Sequence, residues 1–381
     1  MSAFPAHTPD RPVHTDRPHG RLGPSHGRLA VSLALVLALL AGLAIVPAAG
    51  IAGGTQPGRS RPPRASRAHA VAPLSRTAAV KAPRAHAAAA YLTGIGNESS
   101  TMFGNPLWAQ LGTKIVRYIA PYDAVAHSYS LDKAKLFIRE AEAHHQQVLV
   151  AFYHSEYTPL KLPSVALYQK DVAKFVKLFP HVRQYQAWDE ANRGYIPHVL
   201  ASPSAQATAR YYQALLRVCR GCTVIGLDVL DAQYIGPTLE YIAEFKHWIG
   251  KLETVMPKIW GLHNYSDLNR RESWRTRALV QALGGQVWLT ETGGIVQFGG
   301  AFPNRNGSGL TRAANVLKYM FAVTGSIPQI KRLYIYDWLG GYTATRFDAG
   351  LMNAREQPRP GYVVVCKALH AKRCNVKTAK N

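Results

Sequence analysis

The chain has 381 residues, 47% of them hydrophobic, enough for one large α/β domain or two smaller ones with a sizeable core. Its formal charge is +23, split as +9 in residues 1–90 and +14 in the remainder. That balance suits an anionic lipid surface or an acidic wall polymer, whereas the sequence has no nucleic-acid motif and no basic-aromatic stripe, which argues against nucleic acid as a partner.

Residues 1–28 are polar and rich in Pro, His and Arg. Leu29 to Val46 then runs apolar for 18 residues, interrupted by Ser32 and Gly42 alone. A spanning helix needs about 20 residues and a signal-peptide core about 7–15, so the run fits a cleaved signal or a retained anchor. Basic residues flank it on both sides and choose no orientation. Residues 47–90 are Ala, Pro, Arg, Ser and His with few large apolar side chains, too little to offset chain entropy, and read as a disordered basic linker. The linker could rest on an anionic envelope or membrane surface. Export is the expected localisation.

From Tyr91 the pattern becomes short apolar strands alternating with helical spacing, which points to one domain over 91–381 with a parallel sheet. The predicted strands are Tyr91–Ile95, Lys114–Ile119, Gln147–Tyr153, Val182–Glu190, Thr223–Leu227, Lys258–Tyr265, Gln286–Glu291 and Arg332–Trp338. Helical spacing predicts Ser130–His145, Ser164–Phe179, Ala205–Val218, Thr238–Trp248, Ser273–Leu283 and Thr311–Val323, with a last helix from Pro360 to about Leu369. Eight such units fit a single (β/α)8 TIM barrel, typically about 250 residues. An open doubly wound sheet is the alternative, but Gly94-Ile95-Gly96 lacks the third glycine of a phosphate turn.

Four cysteines allow three connectivities. Nearness in sequence favours Cys219–Cys222 and Cys366–Cys374 as structural disulfides. A redox or half-zinc role for the C-x-x-C has no supporting context.

Two strands end in acids, Tyr185-Gln186-Ala187-Trp188-Asp189-Glu190 and Gln286-Val287-Trp288-Leu289-Thr290-Glu291. A carboxylate at the end of a buried strand is costly unless something uses it. In a barrel, the C-terminal strand ends ring one mouth, and these two strands stand across it. Arg117, His154, His263, Tyr265 and Trp338 are predicted at the same end, with His263 and Tyr265 two apart on one strand face. Two acids across a cleft suit glycosidic cleavage, one protonating the leaving oxygen and one attacking or shielding the anomeric carbon. Trp188, Trp338, Tyr153, Tyr157 and Tyr336 are candidates to stack on sugar faces.

This set resembles clan A of the glycoside hydrolases, the retaining (β/α)8 enzymes, over about residues 91–370. Trp188-Asp189-Glu190-Ala191-Asn192 is similar to the segment ending strand four, which implies Glu190 as acid/base. Leu289-Thr290-Glu291 is similar to the segment ending strand seven, which implies Glu291 as nucleophile. Arg117, His154, Asp189, His263-Asn264-Tyr265 and Trp338 resemble the substrate-binding set of cellulase-like members. The whole chain is also similar to exported barrels of actinobacteria, a likeness that supplies no substrate. The resemblance implies a poly- or oligosaccharide substrate, no cofactor and no metal, and a monomer is expected.

One position departs from the clan, which has Asn where this chain has Asp189. An ionised Asp accepts hydrogen bonds but cannot donate, and its charge beside Glu190 would favour the protonated acid. Plainer readings stand beside these. Glu190 and Glu291 could be structural ions paired with Arg117 or Arg193, the histidines could be core residues, and Trp338 could be packing at the barrel top. A non-catalytic carbohydrate-binding barrel or a structural envelope protein would look similar. Asp228, His127 and Asp337 are candidates for support behind the site.

Overall fold

The fold is known from a computed structural model that describes residues 91–194, 200–341 and 347–379. The polar region, apolar run and linker predicted over 1–90 lie outside the described residues. Among the described residues, no helix is long and apolar enough to cross a membrane.

The main sheet is built from β1 (Leu92–Gly96), β2 (Ile115–Pro121), β3 (Gln147–Tyr153), β4 (Gln184–Gln186), β5 (Thr223–Ile225), β6 (Asp228–Leu230), β7 (Ile259–His263), β8 (Gln286–Thr292) and β10 (Ile330–Tyr336). Its order is β5-β4-β3-β2-β1-β10-β8-β7-β6, and the strand pairs are parallel. The two edges, β5 and β6, are pieces of one strand separated by Gly226-Leu227. Backbone bonds from Gly226 N to Ile259 O (3.4 Å) and from Gly261 N to Leu227 O (2.9 Å) join that strand to β7. The nine pieces therefore make the eight-stranded barrel expected from the sequence. A separate antiparallel pair joins β9 (Gln297–Phe298) and β11 (Phe347–Asp348).

Outside the strands lie α1 (Pro106–Gln110), α2 (Ser128–Ala143), α3 (Val165–Leu178), α4 (Ala205–Val218), α5 (Gly236–Lys251), α6 (Tyr265–Asn269), α7 (Trp274–Leu283), α8 (Ser308–Gly325) and α9 (Pro360–Ala368). Local chemistry sets several of their starts. Ser164 and Ser204 accept from the backbone N–H of Leu167 and Ala207, capping α3 and α4, and Pro360 opens α9. In α3, Tyr168, Val172 and Phe175 recur on the face buried against the strands. Inside the barrel, Ile115, Leu149, Ile225, Trp288 and Tyr334 fill a layer below the mouth. Both disulfides pair as expected, Cys219–Cys222 and Cys366–Cys374, with Cα atoms 5.5 Å and 5.6 Å apart.

Several predicted boundaries shift by two residues or more, strand eight among them, which ends at Tyr336 rather than Trp338, and three departures next to the mouth bear on the site. Strand four stops at Gln186 rather than Glu190, where the backbone takes a left-handed φ of 41°, although Asp189 N–H still donates to Phe152 O at 2.9 Å. Strand five breaks at Gly226 and resumes through Asp228. Strand six stops at His263, and Tyr265 begins α6 instead of sharing a strand face with His263.

Candidate active site

Residues at i and i+2 on a strand share a face, so Ile115 in the interior layer carries Arg117 inward with it one layer higher. The same alternation would take Trp288 and Thr290 inward and leave Glu291 facing out. A β-bulge changes that. Gly261 pairs with Trp288 but His263 pairs with Glu291, and Leu333 pairs with Leu289 but Ile335 pairs with Thr292. The extra residue in β8 re-aims Glu291 toward the barrel axis. There Arg117 Nη1 donates to Glu291 Oε1 at 2.7 Å, and its Nη2 donates to Asp189 Oδ1.

Glu190 reaches the same place from the other side. Its left-handed backbone, strained for a residue with a Cβ, is held by its own N–H donating to Asp228 Oδ2 at 3.2 Å. Its side chain accepts from Arg193 Nη1 at 2.7 Å and hydrogen-bonds His263 Nδ1 at 3.0 Å. His263 Nδ1 also lies 3.7 Å from Glu291 Oε2. Since both acids reach one ring nitrogen, those two oxygens are no more than 6.7 Å apart. Tyr265 arrives from α6 rather than from a strand, yet its hydroxyl donates to Glu291 Oε2 at 3.4 Å. All of these side chains are buried.

Asp228 stands behind both acids. Beyond the Glu190 N–H, it accepts from the Thr290 hydroxyl and lies 3.0 Å from His263 Nε2. Gly261 makes this possible, because a Cβ there would fall on Asp228 Oδ1. Gly261→Ala is therefore expected to destabilise the chain by about 1–3 kcal/mol through overpacking, read as a lowered melting temperature. An unchanged melting temperature would show that Asp228 has room to move. The sequence places Asp228 at a strand end as a candidate for support behind the site, and the structure puts it there.

Electrostatically, one guanidinium serves two carboxylates. Burial pushes Glu291 up, to about 8, against the pull of His263 and Arg117. Burial likewise raises Asp189, again against Arg117 and His263. Burial alone would lower His263, but Asp228 and Glu291 outweigh it and hold the imidazole well above its ordinary value. Asp228 is the contrast, since burial would raise it but His263 holds it below the usual carboxylate range. Asp189, His263 and Glu291 offer ligand atoms all within 4.8 Å, the spacing of a cation site. Arg117 already lies on the two carboxylates, so the cluster's cation is supplied by the chain.

The remaining predicted residues lie further out. His154 Nδ1 hydrogen-bonds the Ser155 carbonyl at 2.9 Å and packs against the Tyr153 ring. Trp338 is buried edge-on against Tyr362 in the core between barrel and helices. Trp188 stacks on Tyr211 in the same core, and Tyr153 hydroxyl accepts from Arg193 at 3.1 Å. Tyr336 donates to Glu98 at 3.0 Å. Of the five aromatics expected to meet sugar, Tyr157 is the exposed one, stacked on His127 at 3.8 Å. The other four are buried, and Tyr336 packs with Tyr265 in one cluster. Exposed Tyr129, Tyr234 and Trp274, which the sequence reading passed over, also lie in the turns and first helix residues at the mouth end.

No family model matches the chain, and no curated protein matches it by sequence. Solved structures do match it. Native xylanase 10B from Thermotoga maritima aligns at 15% identity over 74% of this chain and 95% of that one, with a TM-score of 0.52. Xylanase XynB from Paenibacillus barcinonensis gives 10% identity over 72% and 95%, with a TM-score of 0.55. A GH5 family protein from Bifidobacterium longum, in complex with Manβ1-4GlcNAc, gives 11% identity over 76% and 80%, with a TM-score of 0.53. The chain has the barrel fold of these glycoside hydrolases. At such identities the likeness is one of fold, and the chemistry has to be argued from the side chains.

Proposed function

We propose that the chain is a retaining O-glycoside hydrolase acting on an extracellular or cell-wall glycan. The observation that carries the reading is the convergence of Glu190 and Glu291 on one nitrogen of His263, within 6.7 Å at the mouth. Retaining enzymes hold their carboxyls about 5–5.5 Å apart and inverting ones about 6.5–9.5 Å, so this bound favours the retaining geometry. Glu291 attacks the anomeric carbon while Glu190 protonates the leaving oxygen. Glu190 then takes a proton from water, which releases the sugar from Glu291. Arg117 and Tyr265 orient the nucleophile. Arg193 must let go of Glu190 for the proton step, and its buried Nε and Nη2, which lack partners, are donors that a sugar hydroxyl could take up. A screen of aryl glycosides and wall polysaccharides, with Glu291→Ala as control, tests the reading.

The charge of Asp189 falls on the cation that Glu291 uses. In Asp189→Asn, Arg117 would serve Glu291 alone, which favours the ionised nucleophile. The acidic limb of kcat/KM against pH should move to lower pH, and an unmoved limb would mean that Asp189 is not felt at Glu291.

A non-catalytic barrel is the second reading. What favours it is that both acids are fully buried, each on its own guanidinium. Sugar binding by pure protein without hydrolysis of any substrate in the screen would support it.

A further inference from the structure

The floor of the barrel is the end where the strands begin and most helices finish. Lys114, Arg183 and Lys258 stand immediately before β2, β4 and β7, and Lys331 is the second residue of β10, all four exposed. Lys177, Arg217, Lys251 and Lys367 occupy the last turns of α3, α4, α5 and α9. Acids at this end are Glu140, Glu142 and Glu253, and Glu140 is already paired with Arg139. Helix dipoles alone would favour cations in the last turns, but not those at strand starts.

Exposed apolar side chains occur at both ends. Leu92, Leu178, Val255 and Met256 are exposed at the floor, Val255 at 70%. At the mouth the exposed set is Tyr129, Tyr157, Tyr234 and Trp274, with Leu160 and Leu167. Beside the floor, a groove of about 610 Å³ runs between α8 and α9, apolar along Phe321, Val363 and Val364 and flanked by Lys318 and Lys367. Tyr91, the first described residue, comes in beside it, its hydroxyl donating to the Phe321 carbonyl at 3.4 Å. The chain before Tyr91 thus joins at the floor, and that chain contains the apolar run Leu29–Val46 and eleven basic residues.

Exposed apolar groups within a ring of lysine and arginine are what an anionic lipid surface binds, each cation contributing about 1 kcal/mol near the headgroups. We propose that the barrel rests floor-down on a bilayer containing anionic phospholipid, with its mouth turned away from the membrane. The inference holds whether or not the mouth hydrolyses sugars.

The test uses the full chain in phosphatidylcholine vesicles with and without phosphatidylglycerol. Since the four native cysteines are in disulfides, Met256→Cys and Tyr234→Cys each give one labelling site, at floor and mouth. A lipid-borne quencher should quench the floor label and spare the mouth label when phosphatidylglycerol is present. The effect should fade between about 0.15 M and about 1 M salt, as the screening length drops from roughly 8 Å to roughly 3 Å. Adding Lys258→Glu and Lys331→Glu should lower the docked-to-free ratio at least fivefold per residue. Equal quenching at both ends, or floor quenching indifferent to salt or to phosphatidylglycerol, would overturn the proposal. A floor label that responds to soluble polyglycerol phosphate but not to phosphatidylglycerol would overturn it too, by putting a wall polymer on this face.

Discussion

Glu291→Ala is expected to lower turnover of an aryl glycoside by at least about 10⁴-fold, and Glu190→Ala by about 10²–10⁴-fold. The asymmetry follows from their roles. Without Glu291 there is no group to form the glycosyl-enzyme, whereas without Glu190 a good leaving group can still depart unprotonated. Azide separates the roles by stereochemistry. In Glu291→Ala it can enter the vacated space and attack the sugar directly, giving a glycosyl azide of inverted configuration. In Glu190→Ala it attacks the glycosyl-enzyme instead and gives the retained product. Product configuration by NMR and single-turnover rates would check this. Full activity in either variant, or the same azide configuration from both, would remove the assignment. Glu291→Ala leaves Arg117 paired with Asp189, whereas Glu190→Ala leaves buried Arg193 with the Tyr153 hydroxyl and no acid, so a melting curve of each variant is measured beside its turnover.

Much of the barrel was legible because its signals are local. Alternating strand and helix patterns, serine caps at Ser164 and Ser204 and the proline at Pro360 each act over a few residues. The acids, Arg117 and His263 were legible as polar residues near predicted strand ends. What stayed hidden depends on pairing between distant strands. The bulge that turns Glu291 inward exists only as a register shift against β7 and β10. Asp228 was legible as a strand-end acid behind the site, but the room that Gly261, 33 residues on, leaves for its carboxylate was not. Arg193 was read as a structural partner at most, since its hold on Glu190 follows from the left-handed turn at Glu190 itself. The aromatics erred in the other direction. Trp188 and Trp338 have the bulk for a sugar platform, but the same bulk fills the space between strands and helices.

Arg117→Leu is the variant expected to cost the most stability. Both its partners, Asp189 and Glu291, are buried and would keep only His263 as a cation nearby, and breaking a buried pair from one side costs about 3–5 kcal/mol. The loss should depend on pH with a definite sign. Burial already raises both acids, Glu291 to about 8, so the folded chain holds protons that the unfolded chain has released above about pH 4. Stability then falls as pH rises through that window, and removing Arg117 steepens the fall because His263 alone is left to offset the two carboxylates. The deficit against wild type should be small near pH 4, where both acids are protonated, and largest near pH 8. Denaturant unfolding at the two pH values would measure it. Combining Arg117→Leu with Asp189→Asn and Glu291→Gln should recover most of the loss at high pH, since no charge remains to be compensated. A deficit equal at both pH values, or one the added substitutions do not relieve, would mean that Arg117 supports the barrel by filling space and that its charge is incidental.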